Sequence, residues 1–209
     1  MTGAGVHPTP PSSLLEWGSA GAALERESGD LHVVAEFPGG ALVAVIDGLG
    51  HGPEAAVAAR EAARVLEAHP GDPLTELIQR CHEALHGTRG AVMSLASFDS
   101  PRSSMTWAGV GNVDALLLRA DRSAQPVREA LSLRGGVVGY QLPGVRVSTL
   151  SVSPGDTLIM VSDGIRSSFV LGIPAHWGPQ DMADSILERH GRGTDDALVL
   201  VARYLGPLP

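Results

Sequence analysis

The run Val43-Ala44-Val45-Ile46-Asp47-Gly48-Leu49-Gly50-His51-Gly52 constrains this chain more than any other stretch. It opens as a continuous apolar segment of the kind that fills a buried strand. It closes in a carboxylate, three glycines and one histidine. A strand that delivers an aspartate into a glycine-rich loop sets a charge where the backbone can approach a ligand closely. The same residues also suit a plain glycine turn with Asp47 in a solvated turn position. The pattern recurs, however. Thr157–Gly164 is a second apolar run ending in Asp163-Gly164, Ser28-Gly29-Asp30 precedes the first run, and Thr194-Asp195-Asp196 leads into Ala197–Val201. Turn chemistry explains each acidic station separately, but not why all four lie at strand edges. A fold that stacks those strands side by side would bring the stations together. Carboxylates a few ångströms apart repel one another unless cations lie between them. Ligand sets made only of oxygen suit magnesium, manganese and calcium rather than zinc or copper.

Composition narrows the chemistry. All 15 basic residues are arginine, since the chain has no lysine. A Walker-type phosphate loop needs its lysine, and Schiff-base chemistry is excluded outright. The net charge of −8 and only eight aromatic residues argue against a nucleic-acid surface, which needs basic patches. No apolar run approaches the roughly 20 residues that span a bilayer, and no signal peptide is visible, so no membrane partner is expected. A single cysteine, Cys81, rules out an internal disulfide and fits a reducing cytoplasm.

The length suits one domain with a substantial core. Residues 1–13 hold three prolines and two glycines and read as a flexible lead-in, with a single domain over 14–209. Strands are expected at Leu15–Leu24, Leu31–Phe37 and Ala41–Ile46, with Pro38-Gly39-Gly40 as a hairpin turn. Pro53 opens an alanine-rich helix running to about His69. Asp72 is the expected N-cap of a second helix, whose buried face carries Leu74, Leu77, Ile78, Cys81 and Leu85. Further strands follow at Ala91–Phe98, Met105–Val110, Val113–Leu118, Val127–Leu133, Val145–Val152 and Thr157–Ser162. A helix over Asp181–His190 and a central strand over Ala197–Leu205 close the chain. These elements do not alternate as βαβ units do, so the pattern reads as α+β with much antiparallel sheet.

In order and spacing, SGD, DGLGHG, SDGI and DD before a strand resemble the metal-dependent protein phosphatase (PPM) family, and within it the bacterial SpoIIE-type branch. The short chain looks most like the stand-alone RsbX-like phosphatases. The resemblance runs from about Trp17 to Leu205. It implies two antiparallel β-sheets in a sandwich flanked by helices, with a metal site at one edge. It implies two divalent cations, Mn2+ or Mg2+, sharing a bridging water whose hydroxide attacks phosphorus. On that pattern Asp47 bridges the ions, the Gly48 carbonyl joins the shell, and Asp163 and Asp195 hold one ion. Asp30 serves the other ion, and Asp196 is either a ligand or a support behind Asp195. Arg26 stands near, though not at the same spacing as, an arginine that holds substrate phosphate in animal relatives, against an exposed ion pair as the plainer reading. His51 is a candidate contact to the phosphate or general acid, against a conformational role in its glycine loop. Asn112 matches a turn that shapes the loop near the metals, and Arg166 departs from the Thr or Glu of many relatives.

The resemblance implies a serine/threonine phosphoprotein phosphatase acting on a phosphorylated STAS-domain protein, an anti-sigma antagonist or stressosome component of a stress-response pathway. Two readings of other classes stand beside it. One is a catalytically silent relative of the fold that binds a phosphoprotein as a regulatory module. The other is a calcium-binding structural protein, although no EF-hand loop is present.

Overall fold

The computed structural model describes residues 13–170 and 177–207. The expected lead-in lies outside the described residues except for Ser13, whose hydroxyl donates to Glu36 at 2.7 Å. Among the described residues, ten strands form two five-stranded sheets. One sheet has the order β2-β3-β4-β5-β8, built from Asp30–Phe37, Gly40–Gly48, Ala91–Asp99, Ser104–Val110 and Ser148–Ser151. The other has the order β1-β10-β9-β6-β7, built from Leu15–Ala22, Ala197–Tyr204, Thr157–Val161, Asp114–Leu118 and Arg128–Ala130. All pairings in both sheets are antiparallel. Helices α1 (Pro53–Ala68) and α2 (Leu74–Ala84) cover the first sheet, and α3 (Pro179–His190) covers the second.

This four-layer stack explains why the key strands are apolar throughout rather than alternating. Along β3, Leu42, Ala44 and Ile46 enter the core shared with α1 and α2, while Ala41, Val43 and Val45 enter the core between the sheets. Along β10, Val199 and Val201 face α3 while Leu198 and Leu200 face the sandwich interior. Each strand therefore serves two cores at a period of two. Cys81 belongs to the α1–α2 core, where burial pushes its thiol up to about 12, so it is an inert packing residue.

The structure departs from the sequence expectations mainly at sheet edges. The strands expected over Val127–Leu133 and Val145–Val152 shrink to Arg128–Ala130 and Ser148–Ser151. Each is the outer strand of its sheet, paired on one side only, with Val127 and Val147 exposed. The first strand stops at Ala22 because the Leu24 amide is taken by Asp196 at 2.7 Å. Asp72 is not the N-cap of α2; the helix starts after Pro73, and Asp72 pairs with Arg80 at 3.1 Å.

Candidate metal centre

Two antiparallel pairs present their ends at the same edge of the sandwich. β2 begins where β3 ends, so Asp30 and Asp47 stand directly opposite each other in register. β9 ends where β10 begins, which places Asp163 beside the Asp195-Asp196 turn. The Ser162 amide donates to the Leu198 carbonyl at 3.0 Å and so fixes that end of the pair.

Each aspartate has a distinct setting. Asp30 is buried and accepts a hydrogen bond from the Ser162 hydroxyl at 2.6 Å. The same hydroxyl oxygen accepts from the Leu198 amide at 2.9 Å, so Ser162 stitches one sheet to the other beneath the site. Burial pushes the Asp30 carboxyl up to about 7, the Ser162 bond opposes that shift, and the neighbouring aspartates add to it. Asp47 is pushed further, to about 8, by burial first and then by the charges of Asp30, Asp163, Asp195 and Asp196. Its carboxylate makes no hydrogen bond or ion pair with any described residue. Asp163 accepts from the Asn112 side-chain amide at 2.8 Å. Asp195 accepts from the Asp196 amide at 2.9 Å. Asp196 is buried, and its two oxygens accept from the amides of Leu24 at 2.7 Å and Gly29 at 2.6 Å.

Asp47, Asp163, Asp195 and Asn112 share the wall of a cleft of about 260 Å³ with Val92 and Val137, and among the described residues no basic side chain lines it. Among the described residues, no three His, Cys, Asp or Glu side chains close into a ready ion cage. The reason is visible in the hydrogen bonds: Asp30, Asp163 and Asp196 are turned onto protein donors. The donor chemistry still fits hard divalent ions. The site gathers carboxylates, offers no nitrogen or sulfur ligand in the cleft wall, and leaves the most strongly perturbed carboxylate without a partner.

The sequence-predicted residues divide accordingly. Asp30, Asp47, Gly48, Asp163, Asp195 and Asp196 meet at one edge. Asp196 is occupied with the backbone of residues 24–29, which separates its task from that of Asp195. Among the described residues, neither Arg26 nor His51 lines the cleft, and the exposed His51 Nδ1 lies 2.7 Å from the Glu25 carboxylate. Ser162 was missed by sequence reasoning. Its parity with Leu158 and Met160 puts it on the inner face of β9, where a polar side chain must find a partner.

RsbX, the phosphoserine phosphatase of Bacillus subtilis (strain 168), is 26% identical over 126 residues, 60% of this chain and 61% of RsbX. The alignment thus spans less than two thirds of that relative. A solved chain described under "The bacterial stressosome: a modular system that has been adapted to control secondary messenger signaling" superposes with a TM-score of 0.81 at 33% identity, covering 90% of this chain and 99% of its own. The crystal structure of RsbX in complex with magnesium gives a TM-score of 0.78 at 19% identity, covering 91% and 95%. The helix-flanked sandwich expected from the PPM resemblance is the fold these structures share. The family model for stage II sporulation protein E (SpoIIE) matches residues 38–205, which takes in Asp47, Asp163, Asp195 and the strands from β3 to β10: this chain belongs to the SpoIIE family.

Proposed function

We propose that this chain is a metal-dependent serine/threonine phosphoprotein phosphatase that acts in the cytoplasm on a phosphorylated STAS-domain protein of a partner-switching or stressosome pathway. The observation that carries the reading is the partnerless Asp47 carboxylate, set opposite Asp30 and beside Asp163 and Asp195 in a cleft without a counter-charge. Asp47, Asp163, Asp195 and Asp30, with the Gly48 carbonyl, would hold two divalent ions, Mn2+ or Mg2+. When bound, such ions activate water and screen the charge of a phosphoryl group. The protein's own part is to hold the carboxylates in place: Ser162 orients Asp30, Asn112 orients Asp163, and Asp196 anchors the backbone behind Asp30. No phosphoenzyme is needed, so no Ser, Cys or His nucleophile is required. The assignment to partner switching is supported by the likeness to RsbX and to the stressosome-associated chain.

The test compares an intact phospho-STAS protein with a peptide copied from its site, at equal concentration with saturating manganese and a phosphotyrosine peptide as control. Remote contacts that orient a substrate accelerate the chemical step as well as binding. The intact protein should turn over at least about tenfold faster than the peptide. Asp47→Asn and Asp163→Asn should each lose more than about 10²-fold, at least the scale of removing one preorganised hydrogen-bond donor from a reacting centre. Equal rates on protein and peptide would remove the STAS assignment. Full activity of Asp47→Asn would remove the metal centre.

A further inference from the structure

A second, larger groove of about 500 Å³ adjoins the metal cleft, a size typical of ligand sites at ~300–1,000 Å³. The two share Asn112, Asp163 and Asp195, so the same three residues form the wall between them. Beyond that wall the larger groove is lined by Asp114, Ser167, Thr194 and Arg192, with Leu133 and Ile165 as apolar wall. Among the described residues, Arg192 is the only basic side chain lining either space.

The backbone around Arg192 is pinned to both acidic loops. Its amide donates to the Gly164 carbonyl at 2.8 Å, one residue after Asp163. Gly191 pairs with Ile165 in an isolated bridge, and Arg166 donates to the His190 carbonyl at 2.9 Å. Thr194 then leads directly into Asp195. The Arg192 side chain itself is exposed and has no ion pair or hydrogen bond among the described residues. Its root is fixed while its charge stays uncommitted, beside a site full of carboxylates. Asp47 lines only the small cleft and Arg192 only the large groove, which separates Arg192 from the reacting phosphorus.

Resting on the phosphatase reading above, we propose that the groove seats the polypeptide flanking the phosphorylated residue, and that Arg192 determines specificity by pairing with an acidic side chain on that flank. Once ions neutralise Asp163 and Asp195, the charges left in the groove are Arg192 and Asp114. A carboxylate near Arg192 gains a charge-assisted, bidentate partner, whereas a basic flank meets repulsion.

The experiment measures kcat/KM on three phosphoserine peptides with acidic, neutral or basic flanks, for wild type, R192A and R192E with manganese. The readout is the ratio between peptides within one variant, which does not depend on the fraction of protein folded. Wild type should prefer the acidic over the neutral flank by about tenfold, equivalent to about 1.4 kcal/mol. R192A should bring that ratio close to one, and R192E should invert it toward the basic flank. An acidic preference that survives in R192E, or a wild type indifferent to the flank, overturns the inference while leaving the phosphatase assignment intact. Failure of wild type to hydrolyse any phosphoserine peptide or phosphoprotein overturns both.

Discussion

Asp195 and Asp196 are neighbours in sequence with separate tasks, and the hydrogen bonds show the division. Asp196 is buried and satisfies two backbone amides, those of Leu24 and Gly29, that have no other acceptor among the described residues. The Gly29 bond is buried and the Leu24 bond partly so, and hydrogen bonds to a charged group contribute about 1.5–3 kcal/mol each. Asp196→Ala should therefore destabilise the protein by about 2–5 kcal/mol and release the segment before Asp30. Asp195 accepts one bond at the edge of the cleft, so Asp195→Ala should cost no more than about 1.5 kcal/mol while removing activity. Urea denaturation of the two variants distinguishes them, and equal destabilisation would show the tasks to be shared. The pair Asp-Asp was legible as an acidic station, but the split within it was not. Which of two adjacent carboxylates turns inward is decided by the amides of residues 24–29, roughly 170 positions away in the chain.

At the scale of elements, the glycines after Asp47 and Asp163 are a packing requirement. A Cβ on Gly48 would lie 2.2 Å from the Ala55 carbonyl oxygen, and one on Gly164 would lie 1.9 Å from that of Asp196. The first contact is the backbone of α1 and the second the turn into β10, so neither can yield as a side-chain tip would. The small residues of α1, Ala55, Ala58, Ala59 and Ala62, allow the helix to press close to β3 and bring its first turn against the site. Gly48→Ala should destabilise by about 3 kcal/mol, the upper part of the range for overpacking. Gly135→Ala, where a Cβ meets nothing within 4 Å, should stay within about 0.5 kcal/mol. Thermal or urea melts decide, and equal effects would show that the α1 contact relaxes freely. The apolar runs of β3, β9 and β10 were legible because each strand is covered on both faces and leaves no polar register. The outer strands β7 and β8 were read too long, since an edge strand's end depends on its partner and not on its own composition. The groove around Arg192 had no local signature, because its walls come from four separate parts of the chain.

For the whole molecule, the acidic edge couples folding, metal and pH. Asp30 and Asp47 have folded-state values of about 7 and about 8, above the ~3.9 of an unfolded aspartate. Between those limits the metal-free folded state binds more protons than the unfolded chain, so its stability falls as pH rises. The contribution of these two groups is fully present below about pH 4 and is lost as pH passes through about 7 to 8. Divalent ions bound there would reverse the sign of the local field: they would pair with the ionised carboxylates, stabilise the folded state by linkage and displace the protons. The metal-free protein should therefore melt at a lower temperature at pH 8.5 than at pH 6, and manganese should raise the melting temperature more at pH 8.5. Calorimetric titration of manganese in buffers of different ionisation enthalpy should detect proton release at pH 6 that fades by pH 8.5. The informative quantity is the difference between metal-free and metal-loaded protein. The same difference in Asp47→Asn, which removes the group with the largest upward shift, should be much smaller. Identical melting profiles with and without millimolar manganese, together with no proton release at pH 6, would mean that the gathered carboxylates are held apart by the fold alone and bind no ion.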